Sequence, residues 1–141
     1  MKKIILVVTL LMSLSVGAQI SHDLEIYAEN GAKFFLTING RKMNEVAVTQ
    51  IQITNTDKDY VSAKIEFEND AFPAIEKKFL QIAEPGVEEK VPVSAVYKIV
   101  EKKGEVKLGF ASRSRKKIQD NTEVIIINNP QPVNGRIVIS W

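Results

Sequence analysis

Strict alternation of apolar and polar residues is the feature that most constrains this chain. In residues 60–68, YVSAKIEFE, every second side chain from Val61 to Phe67 is apolar, and those between them are polar or charged. Successive side chains of a β-strand point to opposite faces of the sheet. A period of two therefore predicts a strand with one face on the core and the other in water.

The same period recurs along the chain in short segments separated by turn signals. Asn39-Gly40 is the strongest of these signals, because both residues tolerate the positive φ that a type I′ hairpin turn requires. A second hairpin is predicted between Ala95–Glu101 and Glu105–Ala111, and Ala74–Ile82 is predicted as a further strand. With no strong helical period, we expect an all-β fold, an antiparallel β-sandwich of about 8–10 short strands in a single domain, residues 19–141.

The first 18 residues have the pattern of a secretory signal peptide. Lys2 and Lys3 precede the apolar run Ile4–Leu14, and Val16 and Ala18 occupy the small-residue positions before a cleavage site. The run is shorter than the roughly 20 apolar residues that a membrane-spanning helix needs. We expect cleavage after Ala18 and export to the periplasm, the outer surface or the medium, with no transmembrane helix in the mature chain.

Charge and cysteine content narrow the classes of partner. The chain has no cysteine, so an exported form has neither disulfides nor a cysteine to carry a lipid. Without the predicted signal peptide, 17 basic and 17 acidic residues remain. Because nucleic-acid-binding domains are normally basic overall, we expect no nucleic-acid partner. The charge is unevenly placed: residues 19–97 carry 8 basic and 13 acidic side chains, and residues 98–141 carry 9 and 4.

Three stretches carry a resemblance to a known group of proteins: ENGAKFFLTINGRKMNE, KDYVSAKIEFENDAFPAIEKKFL and VYKIVEKKGEVKLGF. In this order and spacing, within residues 23–111, they resemble the N-terminal β-domain of small exported proteins from Bacteroidetes-type bacteria, whose function is unknown. In many of those proteins a helical domain follows, whereas two β-like segments follow Ser112 here. The resemblance implies an exported β-domain and supplies no catalytic residue.

The densest cluster of charge is SRSRKK, residues 112–117, which is predicted as a loop between two strands. Its four cations are Arg113, Arg115, Lys116 and Lys117. Arginine suits planar contacts with phosphate or carboxylate groups, so one hypothesis is contact with an anionic partner, either an envelope protein or an anionic glycan. The alternative is a solvated loop whose charges discourage aggregation through sheet edges.

A weak calcium candidate lies in the N-x-D-x-D pattern of Asn55, Asp57 and Asp59. Calcium takes six to eight oxygen ligands, and this stretch lacks the glycine and the distal glutamate of the best-known calcium loop. His22, the single histidine, is expected at a frayed mature N-terminus, where a catalytic partner is not reliably supplied. We therefore expect no cofactor, no other metal site and no catalytic histidine.

Two further alternatives stay open. Glu66 and Glu68 would lie about 6.7 Å apart on one strand face, near the carboxylate separation of inverting glycosidases. A carboxylate-dependent hydrolase is therefore the less favoured alternative.

The alternating C-terminal segment that ends at Trp141 resembles the closing strand of a small outer-membrane β-barrel, although the predicted strands are short and aromatic residues are few. The preferred interpretation is an exported, non-catalytic binding module of the cell envelope.

Overall fold

The computed structural model of the protein describes residues 20–116 and 136–140. Its strands are β1 His22–Ala28, β2 Phe34–Ile38, β3 Arg41–Lys42, β4 Gln50–Thr56, β5 Tyr60–Phe67, β6 Ile75–Gln81, β7 Val93–Lys102, β8 Glu105–Arg115 and β9 Arg136–Ser140. The predicted signal peptide, Lys117 and Trp141 lie outside the described residues.

The strands form two sheets. Sheet A has the order β8-β7-β1-β4-β9, and sheet B has the order β3-β2-β5-β6. Two pairs in sheet A, β1 with β7 and β4 with β9, are parallel, and the other pairs are antiparallel. The prediction of an all-β sandwich is confirmed, with sheet A mixed rather than purely antiparallel.

The core lies between the inner faces of the two sheets and follows the alternation in the sequence. In β5, the predicted inward set from Val61 to Phe67 is buried at every second residue. Strands β2 and β1 contribute inner faces of the same kind, with Phe34 and Ile26 fully buried. Fully burying a large aliphatic or aromatic side chain stabilises a fold by about 1.5–3 kcal/mol. This repeated apolar face therefore holds the sheets together.

Both predicted hairpins are present, and the Asn39-Gly40 turn has the expected positive φ values. Asn39 and Gly40 have φ values of 48° and 78°, and Lys103 and Gly104 have 52° and 78°. The Asn39 side chain adds a contact across the sheet, because its Oδ1 accepts a hydrogen bond of 2.9 Å from the backbone N–H of Ser62. The β2–β3 turn is thereby fixed to the neighbouring strand β5.

A β-bulge in β6 sets which of its side chains face the core. Ile75 lies opposite Ile65 and Leu80 lies opposite Val61, so two residues of β6 stand opposite Ser62 alone. Ile75 and Leu80 are five positions apart, and an unbroken period of two would place them on opposite faces. The bulge resolves that conflict by inserting one extra residue.

Candidate functional site

The predicted basic loop is instead the end of strand β8. Ser112 to Arg115 continue the strand, and a second bulge, in β8 after Phe110, brings Arg113 opposite the buried Ala95. Arg113 is thereby turned towards the inner side of sheet A, at the open edge of the sandwich. The expectation of a loop was wrong because pairing with β7 outweighs the local preference of a highly charged segment.

Arg113 makes internal contacts from this position. Its Nε donates a hydrogen bond of 2.8 Å to the carbonyl oxygen of Ile82, and its Nη2 donates one of 3.1 Å to that of Gln81. The guanidinium also lies over the ring of Phe110, at 4.8 Å from the centroid. The hydroxyl of Tyr97 donates to the same Gln81 oxygen at 2.6 Å, and burial raises the pKa of Tyr97. Arg113 therefore ties the edge of sheet A to the end of β6 in sheet B.

Lys116 also faces the protein. Its Nζ lies 2.8 Å from the carboxylate of Asp23 and donates at 2.9 Å to the side-chain oxygen of Asn55. Arg115 is exposed, and no carboxylate within the described residues lies within ion-pair distance of it. Of the four predicted contact cations, two are occupied internally, Arg115 faces solvent and Lys117 is outside the described residues.

The three calcium candidates point their polar groups at lysines. The carboxylate of Asp59 pairs with Lys90, and that of Asp57 lies 3.9 Å from Lys58. Asn55 has a φ of 59° and takes the ammonium of Lys116 on its amide oxygen. Within residues 20–116 and 136–140, no group of three or more histidine, cysteine, aspartate or glutamate side chains is arranged to hold a metal ion.

His22 occupies the start of β1 and not a frayed terminus. It is 1% exposed, and its Nδ1 accepts a hydrogen bond of 3.1 Å from the backbone N–H of Val93. The ring proton is therefore on Nε2, which lies 3.7 Å from the carboxylate of Asp59. Burial lowers the pKa of His22, while Asp59 acts in the opposite direction. The alternation His22, Leu24, Ile26, Ala28 was the sequence signal for this burial.

The predicted shared strand face of Glu66 and Glu68 is wrong. Strand β5 ends at Phe67, and Glu68 begins a 3₁₀ turn that runs to Asp70. Glu66 pairs with Lys64 at 3.0 Å and raises the pKa of that lysine. Glu66 and Glu68 therefore belong to different local structures, and Glu66 makes a surface ion pair.

The outer face of sheet B carries an exposed aromatic pair. Phe79 is 77% exposed and Tyr60 is 56% exposed, and their ring centroids lie 5.8 Å apart at an angle of 58°. Leu80, next to Phe79, is buried against the core, so the β6 bulge is what leaves Phe79 on the outer face. Sequence reasoning placed this strand correctly and missed the surface, although the odd spacing of Ile75 and Leu80 was the signal for a bulge.

A shallow groove of about 240 Å³ lies beside the aromatic pair. It extends from the β2–β3 turn across β5 to β6, and its lining consists of Thr37, Gly40, Ser62, Ala63, Lys64, Glu76, Lys77 and Lys78. Ser62 lies two residues from Tyr60 on the same strand face, and Lys78 directly precedes Phe79, so the two rings border the groove. We call the groove and the two rings the β6 surface.

The charge of the β6 surface is positive. Three lysines and one glutamate line the groove. Lys64 has Glu66 as its partner, whereas Lys77 and Lys78 have no carboxylate within ion-pair distance in the described part of the chain. Lys78 lies opposite Ser62 on the outer face, whereas Lys77 lies opposite the buried Ala63, so Lys78 carries the ammonium group that the outer face offers to an anion from solution.

No protein-family model matches this chain, and no curated protein or solved structure matches it. Within the described residues, no helix is long and apolar enough to cross a membrane.

Proposed function

We propose that this protein is an exported, non-catalytic binding module of the cell envelope, and that the β6 surface is its main contact with an anionic partner. The observation that carries the proposal is the exposed pair Tyr60 and Phe79 beside a groove with a surplus of lysines. Aromatic side chains are enriched at binding surfaces and supply much of the energy of contact. The N-terminal signal pattern supports export.

The arrangement has a second interpretation, in which the lysines of β6 only protect a sheet edge. Lysines and bulges on an edge strand do discourage pairing with other chains. That interpretation accounts for Lys77, Lys78 and the bulge, but it does not account for Phe79. A strongly exposed aromatic ring on an edge strand favours association, so the position of Phe79 beside protective lysines supports a specific contact.

The end of β8 is the second candidate surface. Arg115 lines a cleft of about 290 Å³ together with Glu84, Val93, Arg113 and Ser114. Since Arg113 already binds two carbonyl oxygens, Arg115 is the cation of the described basic segment that would meet an anionic partner there.

Co-sedimentation with isolated envelopes of the source cells tests the proposal. The mature protein, residues 19–141, is compared with the double variant Tyr60→Ser/Phe79→Ser. Val138→Ser is the matched control, because Val138 is an exposed apolar residue on sheet A. We expect wild type and control to be retained and the double variant to be lost. Equal retention of all three proteins would contradict the assignment of the contact to the β6 surface. Loss of retention in Arg115→Gln/Lys117→Gln, and not in the double variant, would assign the contact to the end of β8.

A further inference from the structure

We infer that the partner of the β6 surface is an acidic glycan, a polysaccharide that carries carboxylate or sulfate groups. The inference rests on the proposed function and names the class of its ligand. It follows from three features of the β6 surface: the exposed rings, the mixture of donors and acceptors in the groove, and the lysines without a carboxylate partner.

The exposed rings suit the apolar face of a sugar. The face of an aromatic ring carries partial negative charge, and the axial C–H groups of a pyranose carry partial positive charge. Tyr60 and Phe79 are tilted against each other by 58° and both remain largely open to solvent. Together they form a small apolar platform that a sugar ring covers without a deep pocket.

The groove beside the rings suits a ligand with many hydroxyl groups. Thr37 and Ser62 contribute hydroxyls, and Glu76 contributes a carboxylate that only accepts hydrogen bonds. Ser62 uses its hydroxyl as a donor to Asn39, at 3.3 Å, so its own oxygen remains an acceptor. A sugar hydroxyl can donate to these acceptors, and a polyanion without hydroxyl groups offers no such donors.

The lysines supply the preference for an acidic sugar. Lys77 and Lys78 are both exposed, and within the described residues neither has a carboxylate partner; Lys78, opposite Ser62, is the one on the outer face beside the groove. An ammonium group pairs with carboxylate or sulfate through a charge-assisted hydrogen bond. Binding should therefore weaken as salt is added, because exposed charges are screened over about 8 Å at physiological ionic strength.

The edge of β6 argues against a peptide that binds as an added strand. Lys78 and Phe79 form the bulge opposite Ser62, and a bulge disrupts the regular row of backbone groups that strand addition requires. The groove instead crosses the strands, from Gly40 to Glu76. A polysaccharide lying across the outer face of sheet B fits this direction and leaves the edge unpaired.

Calorimetric titration of the mature protein tests the ligand class. The probes are polygalacturonate, alginate and chondroitin sulfate; methyl-esterified polygalacturonate is the neutral control, and polyglutamate is the polyanion without sugar. We expect at least one acidic polysaccharide to bind. For that polysaccharide, Phe79→Ser and Lys78→Gln should each weaken binding by at least about tenfold, which is readily resolved in Kd. The methyl-esterified polygalacturonate and the polyglutamate should each bind at least about tenfold more weakly than that acidic polysaccharide.

Three results would overturn the inference. The first is that none of the three acidic polysaccharides binds. The second is that polyglutamate binds as tightly as the acidic polysaccharide, and the third is that Phe79→Ser leaves the binding unchanged. Circular dichroism of each variant establishes that the sandwich is intact. Envelope retention that depends on Tyr60 and Phe79, together with failure of all three polysaccharides, would leave the β6 surface as the contact and reject the glycan.

Discussion

Arg113 should stabilise the sandwich rather than serve as a free cation. In the variant Arg113→Met, the hydrogen bonds to the carbonyl oxygens of Ile82 and Gln81 are lost, together with the guanidinium contact over the ring of Phe110. Gln81 keeps the hydroxyl of Tyr97 as a donor, so the oxygen of Ile82 is the more affected group.

The size of the effect follows from these contacts. A hydrogen bond with a charged donor contributes about 1.5–3 kcal/mol, and a cation over an exposed ring about 0.5–1 kcal/mol. Arg113 is only half-buried and water replaces part of what is lost, so we expect the free energy of unfolding to fall by about 2–4 kcal/mol.

Urea unfolding with an unchanged m-value measures this loss. The matched control is Arg115→Met, because Arg115 lies two residues further along the same strand and is exposed. Surface substitutions of that kind usually change stability by less than about 0.5 kcal/mol. Equal destabilisation by the two variants would refute the assignment of Arg113 as a structural tie, and so would a loss at Arg113 below that level.

Three further predictions concern His22, Asn44 and Phe79. Burial lowers the pKa of His22 from its usual 6.5, so the unfolded chain binds more protons than the folded protein below that pH. The free energy of unfolding should therefore fall as the pH drops below 6.5, by at most about 1.4 kcal/mol per pH unit. The difference between the urea midpoints at pH 7.5 and pH 5.5 should become smaller in His22→Gln, and an unchanged difference would contradict this. The side-chain oxygen of Asn44 accepts from the N–H of Leu36, and its amide nitrogen donates to the carbonyl oxygens of Phe34 and Val46. Asn44→Ala should therefore lower the free energy of unfolding, measured in urea, by at least about 3 kcal/mol. A loss below about 1 kcal/mol would show that these hydrogen bonds do not stabilise the fold. Phe79→Ser should change unfolding by less than about 0.5 kcal/mol because the ring is exposed, and a larger loss would show that Phe79 stabilises the fold.

Local features of this fold were predictable from the sequence. The period of two in β5, the Asn39-Gly40 turn and the hairpin through Gly104 each depend on neighbouring residues, and each is present in the structure. The sandwich class follows from many such segments in one chain. Parallel pairing of β1 with β7 joins segments about 70 residues apart, and no local signal specifies it.

The candidate site was harder to predict because it depends on bulges. Phe79 reads as a core residue in IEKKFLQ, and its exposure follows only once the β6 bulge has brought both Ile75 and Leu80 to the core. In the same way, a bulge in β8 turns Arg113 inward and converts a predicted contact residue into one that joins the sheets. The odd spacing of Ile75 and Leu80 indicates the first bulge, whereas residues 112–115 contain no apolar residue that would indicate the second.

We propose that the β6 surface is where this protein meets its partner. Amide chemical shifts of the isotope-labelled mature protein, titrated with solubilised envelope extract, test it most directly. We expect shifts concentrated on Ser62 and on Glu76 to Phe79, and we expect Tyr60→Ser/Phe79→Ser to abolish them. Shifts concentrated at Arg115 on β8, with residues 76–79 unchanged, would contradict it.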